Sequence, residues 1–313
     1  WKLASEKGVE KVFVCPGNSG MAGDRGLEPT GIGAGEFDRI ASLVKKEGVD
    51  FVVVGPDQAL ADGVVDYLES RAIPAFGPSK QASRIEWSKA YSKDLMRAAS
   101  IPTAKFEAFS AAAPARTFVE SVEWGKGWVV KADGLALGKG VVVCESRELA
   151  LRTIDEFFSG ALGDAGKRVV IEERLEGREV SAFFLCDGES GAPIGMACDY
   201  KRISDGDRGP NTGGMGAFTP ADWLPAGFLD RVARDVMKPL LREMKARGNP
   251  FRGVLFVGLM VNGDAFHVLE FNARFGDPET QAVLALLDSP LGQLLRATAT
   301  GECDGALLTS VLS

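Results

Sequence analysis

The sequence predicts two parts: a doubly wound parallel α/β sheet, then an α+β body that carries a smaller inserted subdomain. Its 313 residues exceed what one hydrophobic core usually organises, so two or three domains are expected. The first hundred residues alternate short apolar runs with amphipathic stretches, the pattern of a parallel sheet. After Ile101 and Pro102 the apolar runs lie closer together with fewer helical stretches between them, which favours antiparallel strands.

In the first part, apolar runs predict strands at 11–15, 51–54 and 74–76, with helices near 36–47, 57–70 and 79–99. Glycine and proline follow each strand, as expected of turns. Open α/β sheets bind ligands beyond the carboxyl ends of their strands. A small-molecule site in this part is therefore expected at those turns.

In the second part, the principal helices are expected at 147–158 and 227–247, with a further helix beginning near Pro278. Asp277 is expected to cap that last helix, with Pro278 at its first position. The remaining apolar runs predict strands at 128–131, 140–144, 169–172, 181–186, 194–199, 253–261 and 265–271.

Composition excludes several classes of protein. With 36 basic and 43 acidic residues the net charge is −7, and no Lys/Arg-rich segment could track a nucleic acid backbone, so no nucleic acid partner is expected. No apolar run approaches the roughly 20 residues that span a bilayer, so no membrane association is expected. Five widely separated cysteines without a C-x-x-C pair are typical of a reduced, cytoplasmic protein. Trp1 is an unusual first residue, so we expect residues before it.

A glycine-rich connection follows the apolar strand that ends at Lys131. It is not a Walker A loop, because only three residues separate Gly134 from Gly138, and Gly140 rather than Ser or Thr follows Lys139. Such a connection could fold over a nucleotide as a flap, or could be an ordinary hairpin. The partly buried ammonium of Lys131 requires an anion, either phosphate oxygens or a structural carboxylate.

A short polar linker follows the apolar run 169–171. Its backbone could contact an adenine edge while Glu179 accepts ribose hydroxyls. Solvated glutamates after a strand are an equally ordinary explanation.

The segment 268–279 is the strongest local feature. Strand alternation places Glu270 and Asn272 on one face, and their oxygens are hard ligands suited to Mg²⁺. Arg274, further along that face, could neutralise charge on a transferring phosphoryl group. The alternative is a half-exposed polar face with a surface ion pair. The only histidine, His267, is expected on the opposite face, and its isolation excludes histidine triads and multi-histidine zinc sites.

Residues 205–217 form a long segment of dense turn chemistry without periodicity, which indicates either a functional loop or a surface loop.

Together these segments resemble the ATP-grasp superfamily, and most closely the phosphoribosylamine glycine ligase family. The resemblance extends from about residue 12 to the end and rests on residues 55–56, 88–89, 101–104, 131–140, 209–217 and 270–281. It implies an ATP-grasp fold and formation of glycinamide ribonucleotide from glycine, 5-phosphoribosylamine and ATP through a glycyl phosphate. Positioning and charge neutralisation can drive such phosphoryl transfer without a protein nucleophile.

The resemblance also implies residue roles. Nucleotide binding is assigned to Lys89, Lys131, Gly138, Lys139, Gly140, Glu172, Glu173, Leu175 and Glu179. Mg²⁺ or Mn²⁺ is assigned to Glu270 and Asn272. The reacting groups are assigned to Lys201, Asn211, Gly213, Gly214 and Arg274. Binding of the other substrates is assigned to Gly17, Asn18, Gly55, Pro56, Asp199, Thr212, Met215, Gly216 and Asp277.

The family's domain plan implies an N-terminal domain at 1–87, an ATP-grasp domain at 88–300 with a lid near 104–176, and the start of a further domain at 301–313. It also implies a first strand and glycine-rich phosphate loop before Trp1, and a monomer or weak homodimer. Asp57 stands where the family usually has glutamate, and Tyr200 where histidine is usual. The alternatives are another ATP-grasp carboxylate–amine ligase and a non-catalytic nucleotide-binding module.

Overall fold

The N-terminal part is built on short parallel strands, as predicted. The computed structural model describes residues 1–23, 26–136, 140–206 and 208–300. Strand β1 (Val12–Val14) pairs in parallel with β2 (Leu27–Pro29), and β3 (Val52–Val53) pairs in parallel with β4 (Ala75–Phe76). Strand β2 was not predicted, because its three residues include a glutamate and a proline and show no apolar run.

Among its described residues, this part contains five α-helices. Helix α1 (Phe37–Glu47) matches its prediction, but the next two predicted helices are each divided. Gly63, with a φ of +94°, separates α2 (Asp57–Asp62) from α3 (Val64–Glu69). The extended backbone of Ser88 separates α4 (Arg84–Trp87) from α5 (Lys89–Ala98), and the Ser88 hydroxyl caps α5 by accepting from the Tyr91 amide at 3.3 Å.

An antiparallel four-stranded sheet follows. Its strands are β5 (Phe106–Phe109), β6 (Trp128–Ala132), β7 (Val141–Cys144) and β8 (Val169–Glu173), in the order β5-β8-β6-β7. Helices α6 (Ala112–Ser121) and α7 (Arg147–Glu156) pack on the sheet and share a core with it through Val119, Val130 and Ile154. This part therefore has an apolar core of its own.

A five-stranded antiparallel sheet forms the largest layer. It has the order β13-β10-β9-β14-β15 and comprises β9 (Arg178–Asp187), β10 (Gly191–Asp199), β13 (Ala217–Phe218), β14 (Arg252–Asn262) and β15 (Ala265–Asn272). A hairpin of β11 (Arg202–Ser204) and β12 (Arg208–Asn211) lies between β10 and β13 in sequence. Helices cover both faces of the sheet, so its central strands are apolar nearly throughout.

On one face, α8 (Phe228–Val232) and α9 (Lys238–Ala246) share a core with the N-terminal helices. On the other face lie α10 (Glu279–Leu286) and α11 (Leu291–Thr300). The expected cap of α10 is wrong: the helix begins at Glu279, and Asp277 instead accepts from the Gln281 side chain at 2.7 Å. Within the described ranges, no helix combines the length and apolar character needed to cross a membrane.

Candidate active site

Both large sheets line a single cavity of about 330 Å³. Its other walls come from α4 and α5, from the turn after β6, and from the start of α10. This volume falls within the range of about 300–1,000 Å³ that is usual for small-molecule sites. Most of its charged side chains come from segments that are distant in sequence.

The metal-ligand candidates lie on one face of the five-stranded sheet. Glu270 and Asn272 pair with Gly258 and Phe256, which are two residues apart on β14, so both side chains share a face, and both line the cavity. Burial by itself raises the pKa of Glu270, but the ammonium groups of Lys131 and Lys89 outweigh it and lower that pKa. Glu270 is therefore an ionised carboxylate.

The position expected for His267 is wrong. A register shift between Gly258 and Leu259 leaves Leu269 without a partner, so β15 has a bulge at Leu269. An extra residue at a bulge reverses the alternation of side chains, and His267 consequently lies on the same face as Glu270. Alternation counted along the sequence cannot detect such a bulge.

Lys131 lies in a buried ion cluster. Its ammonium contacts one oxygen of Glu172, and Lys93 contacts the other at 2.5 Å. All three side chains are buried. Although burial favours the neutral acid, the two ammonium groups lower the pKa of Glu172, so the carboxylate is ionised. Of the two anions considered for Lys131, a structural carboxylate is present, and the lysine also lines the cavity.

The linker after β8 is only partly open to a ligand. Glu172 is paired on both sides, with β5 and β6, so its backbone and its side chain are both engaged. The Glu173 amide donates to the Lys105 carbonyl at 2.9 Å, and the Arg174 amide donates to the Gly127 carbonyl at 3.1 Å. Of the residues assigned to the adenine edge, Leu175 is the one whose backbone forms no hydrogen bond with another described backbone group. The Glu172 side chain contacts Lys131 and Lys93.

Lys89 is the first residue of α5 and lines the cavity, with its ammonium 3.4 Å from the Gly134 carbonyl. Desolvation lowers its pKa. Asp133, which the sequence analysis did not single out, accepts from the Ala90 amide at 3.0 Å and from the Ser88 hydroxyl at 3.3 Å. Asp133 therefore ties the turn after β6 to the start of α5.

Arg274 also lines the cavity, and it has a partner that the sequence analysis missed. The guanidinium of Arg274 lies 3.0 Å from one oxygen of Glu86, and the other oxygen accepts from the Ala273 amide at 2.8 Å. Glu86 is on α4, 188 positions before Arg274, and a glutamate in a short helix gives no signal of this contact. The carboxylate fixes both the backbone and the side chain of the segment.

Lys201, Glu179 and Asp199 form a second charged group. The Lys201 ammonium lies 2.6 Å from Glu179 and 4.0 Å from Asp199. Burial disfavours the charged amine, but these carboxylates outweigh it and raise the pKa of Lys201. Burial also raises the pKa of Asp199. Lys201 and Asp199 line the cavity. Glu179, the residue assigned to ribose, therefore lies beside one residue assigned to the reacting groups, Lys201, and near one assigned to substrate binding, Asp199.

The segment after the β11–β12 hairpin is held against the end of β10. The Thr212 amide and hydroxyl both donate to the Lys201 carbonyl, and the Met215 amide donates to the Tyr200 carbonyl. Gly214 has a φ of +124°, and a side chain there would collide with the Pro278 ring. Gly213 lines the cavity. This segment is therefore packed against α10 rather than a loose surface loop.

Other predicted site residues are dispersed. Gly140 and Asp277 line the cavity, whereas Gly138 and Lys139 and the side chain of Asn211 lie outside the described part of the chain. The N-terminal candidates do not line the cavity, although Asp57, which follows Pro56, does. Asn18 accepts from the Gly20 amide at 2.9 Å and so closes its own turn. The described candidates that do not line the cavity are Gly17, Asn18, Gly55, Pro56, Glu172, Glu173, Leu175, Glu179, Thr212, Gly214, Met215 and Gly216.

Comparison with known proteins agrees with this geometry. The family described as Phosphoribosylglycinamide synthetase, N domain, matches residues 1–86, and Phosphoribosylglycinamide synthetase, ATP-grasp (A) domain, matches residues 87–280. A phosphoribosylamine–glycine ligase of Rhizobium meliloti is 42% identical over 97% of this chain and 71% of its own length. One of Streptococcus pyogenes serotype M1 is 46% identical over 93% of this chain and 69% of its own.

Solved structures show the same likeness. The phosphoribosylamine–glycine ligase of Thermotoga maritima has a TM-score of 0.77 at 31% identity, covering 93% of this chain and 70% of that one. A D-alanine–D-alanine ligase of Bacillus anthracis, solved with ATP, has a TM-score of 0.61 at 20% identity over 89% of this chain and 87% of that one, a likeness of fold alone. The chain belongs to the phosphoribosylglycinamide synthetase family and has the ATP-grasp fold.

Proposed function

We propose that this chain ligates glycine to 5-phosphoribosylamine, giving glycinamide ribonucleotide, ADP and phosphate. One observation carries the proposal: in a member of this family, a single cavity brings the cations Lys89, Lys131 and Arg274 together with Glu270 and Asn272. A cation set suits the phosphates of ATP, and a carboxylate–amide pair suits a divalent ion.

ATP is the substrate that these cations fit. Lys89 and Lys131 reach the cavity from α5 and β6, on two sides of the space that its phosphates would occupy. The Glu172 carboxylate fixes the position of the Lys131 ammonium, so this side chain needs little further ordering when ATP binds. Glu179 and Leu175 are the candidates for ribose and adenine.

Mg²⁺, or Mn²⁺ in its place, is assigned to Glu270 and Asn272. The two side chains share one face of β15, both border the cavity, and Glu270 is ionised, so the donors fit a hard divalent cation. When bound, the ion would neutralise phosphate charge. The chain's own contribution is to hold these oxygens on a paired strand.

The reaction has two steps. A glycine carboxylate oxygen attacks the γ-phosphorus and the bond to the ADP oxygen breaks, giving glycyl phosphate. The amine of phosphoribosylamine then attacks the carbonyl carbon, phosphate leaves, and the nitrogen loses a proton. Arg274, Lys201 and the segment at 211–216 would surround the reacting groups, where fixed charge opposes the charge that develops.

The second substrate would approach from the N-terminal part. Gly17, Asn18, Gly55 and Pro56 follow the parallel strands β1 and β3, at the strand ends where such sheets bind ligands. Asp57, at the start of α2, lines the cavity and connects the two regions. Asp199, Thr212, Met215, Gly216 and Asp277 are proposed to complete substrate binding.

The test is ADP release by the full-length protein with ATP, Mg²⁺, glycine and phosphoribosylamine, and with each component omitted in turn. We expect release only when all four are present. Equal release with other amino acids would indicate a different ATP-grasp ligase. Nucleotide binding without any turnover would indicate a non-catalytic module.

We further propose a cytoplasmic protein that acts as a monomer or weak homodimer. Cys15, Cys144, Cys186 and Cys198 are free thiols, which is typical of a reducing compartment. Fractionation and the mass of the purified protein in solution test the two statements separately.

A further inference from the structure

Glu279 is a buried carboxylate that the proposed mechanism does not yet use. It is the first residue of α10, its side chain is only 4% exposed, and it lines the cavity. Its Oε2 atom has no hydrogen-bond partner among the described residues. A buried carboxylate oxygen without a partner is costly, so such an oxygen in a cavity wall indicates a ligand.

The cations nearest to this wall already have partners. Arg274 pairs with Glu86 at 3.0 Å, and Lys201 pairs with Glu179 at 2.6 Å. Asp199, another carboxylate that lines the cavity, has Lys201 only at 4.0 Å. Glu279 and Asp199 therefore share too little positive charge from the described chain.

Gly276 gives Glu279 the room to take this position. A Cβ atom at Gly276 would lie 2.6 Å from the Glu279 Oε2, closer than real Cβ contacts occur. Any side chain at this position would displace the carboxylate oxygen. The turn before α10 therefore accommodates the carboxylate in the cavity wall.

We propose that Glu279, together with Asp199, binds the ammonium group of the amino acid substrate, an inference that rests on the proposed ligase function. An ammonium carries three donors and one positive charge, which is what two incompletely paired carboxylates lack. The substrate carboxylate would then point along the cavity towards Arg274.

This arrangement also determines which amine reacts. Carboxylates beside an ammonium stabilise its protonated form, which has no lone pair. The amino acid is therefore activated at its carboxylate, and its own amine is prevented from acting as the nucleophile. The amine of the second substrate does not bind these carboxylates, so they do not stabilise its protonated form.

The test is Glu279→Gln in the full-length protein, because glutamine keeps the size and removes the charge. We expect the KM for glycine to rise about tenfold or more, with the KM for ATP and the Mg²⁺ requirement within about twofold of the parent. Glycolate, which has a hydroxyl in place of the ammonium, should inhibit parent and variant equally. Glu279→Asp should retain part of the glycine affinity, and it decides the matter if the glutamine variant fails to fold.

The matched control is Glu86→Gln, another buried carboxylate of the same cavity, which should lower kcat more than it raises the KM for glycine. An unchanged glycine KM in both Glu279 variants would overturn the proposal. So would a raised Mg²⁺ requirement with unchanged glycine affinity, which would make Glu279 a metal ligand. If the parent protein itself shows no glycine-dependent ADP release, the ligase function fails independently of Glu279.

Discussion

The two walls of the cavity carry charge in opposite ways. One wall, here the lysine wall, consists of Lys89, Lys93, Lys131 and the Glu172 carboxylate that Lys93 and Lys131 share. The other, here the carboxylate wall, consists of Asp199, Glu270 and Glu279, together with Glu179, which pairs with Lys201 beside Asp199. The first is built from α5 and the four-stranded sheet, and the second from the five-stranded sheet and α10.

The difference lies in how complete the pairing is. On the lysine wall, one buried carboxylate contacts two ammonium groups, so the arrangement persists without a ligand while retaining excess positive charge for phosphates. On the carboxylate wall, Glu270 and Glu279 form no direct ion pair within the described residues, and the Glu279 Oε2 atom has no hydrogen-bond partner there, so the pairing is incomplete. Incomplete pairing of buried charge is a property of binding sites more than of structural clusters.

Neutralising Glu172 should have the largest effect, because this carboxylate pairs with two lysines of the lysine wall. In Glu172→Gln two buried ammonium groups lose their shared carboxylate, and we expect the free energy of unfolding to fall by about 3–5 kcal/mol. Denaturant unfolding measures this. Glu173→Gln is the matched control, since its pair with Lys105 is exposed and should contribute less than about 1 kcal/mol. Equal losses in both variants would show that the buried cluster has no special role.

Neutralising Glu270 tests whether the carboxylate wall provides the metal site. In Glu270→Gln we expect Mg²⁺-dependent turnover to fall about 100-fold, while nucleotide affinity changes by less than about threefold, because the lysine wall is intact. Steady-state kinetics and nucleotide titration measure the two quantities. His267→Gln, on the same face of β15, should retain kcat within about twofold. Unchanged kinetics in Glu270→Gln would remove this residue from the metal site.

Glu86→Gln tests the contact that joins α4 to Arg274, two residues after the end of β15. We expect kcat to fall about tenfold with the KM for ATP nearly unchanged, because a misplaced guanidinium affects the transition state more than substrate binding. Glu86→Asp should recover part of the loss. Glu107→Gln, an exposed glutamate that lies 4.0 Å from Arg97, is the control. A rise in the KM for ATP without loss of kcat would contradict a positioning role.

Acid should weaken the lysine wall by a smaller amount. The pKa of Glu172 in the folded protein is lower than its ordinary value of 4.5, so unfolding takes up a proton in the interval between the two values. The stability that this carboxylate provides is complete above pH 4.5 and declines as pH falls through the folded pKa. One group contributes a slope of at most about 1.4 kcal/mol per pH unit. Denaturant unfolding at several pH values should show a steeper decline below pH 4.5 in the parent than in Glu172→Gln.

The sequence predicted best those features that depend on residues close together in the chain. The alternation that places Glu270 and Asn272 on one face held, because β14 and β15 pair regularly from Gly258 to Phe256. The same alternation gave the wrong face for His267, because β15 has a bulge at Leu269 and nothing in the sequence indicates the extra residue. Helix boundaries failed at Gly63 and Ser88, where a glycine and a capping serine interrupt otherwise continuous amphipathic patterns.

Contacts between distant segments could not be predicted. Glu86 holds Arg274, Asp133 binds the start of α5, and Glu172 joins Lys93 to Lys131. Each of these contacts is formed only by packing of separate elements. The sequence does not show whether a glutamate on a helix or strand lies in solvent or against a lysine. Burial decides its role, because an ion pair contributes strongly only where water is excluded.

The family, the ATP-grasp fold and most of the chemical groups could be predicted from the sequence, because motifs such as the one from Glu270 to Gln281 combine specific residue types at fixed local spacing. Which of those groups pair with one another, and which remain to bind a ligand, depends on how the separate elements pack. Charge balance in a cavity is a sum over side chains from different elements, and that sum depends on distance and burial, which a linear spacing does not contain.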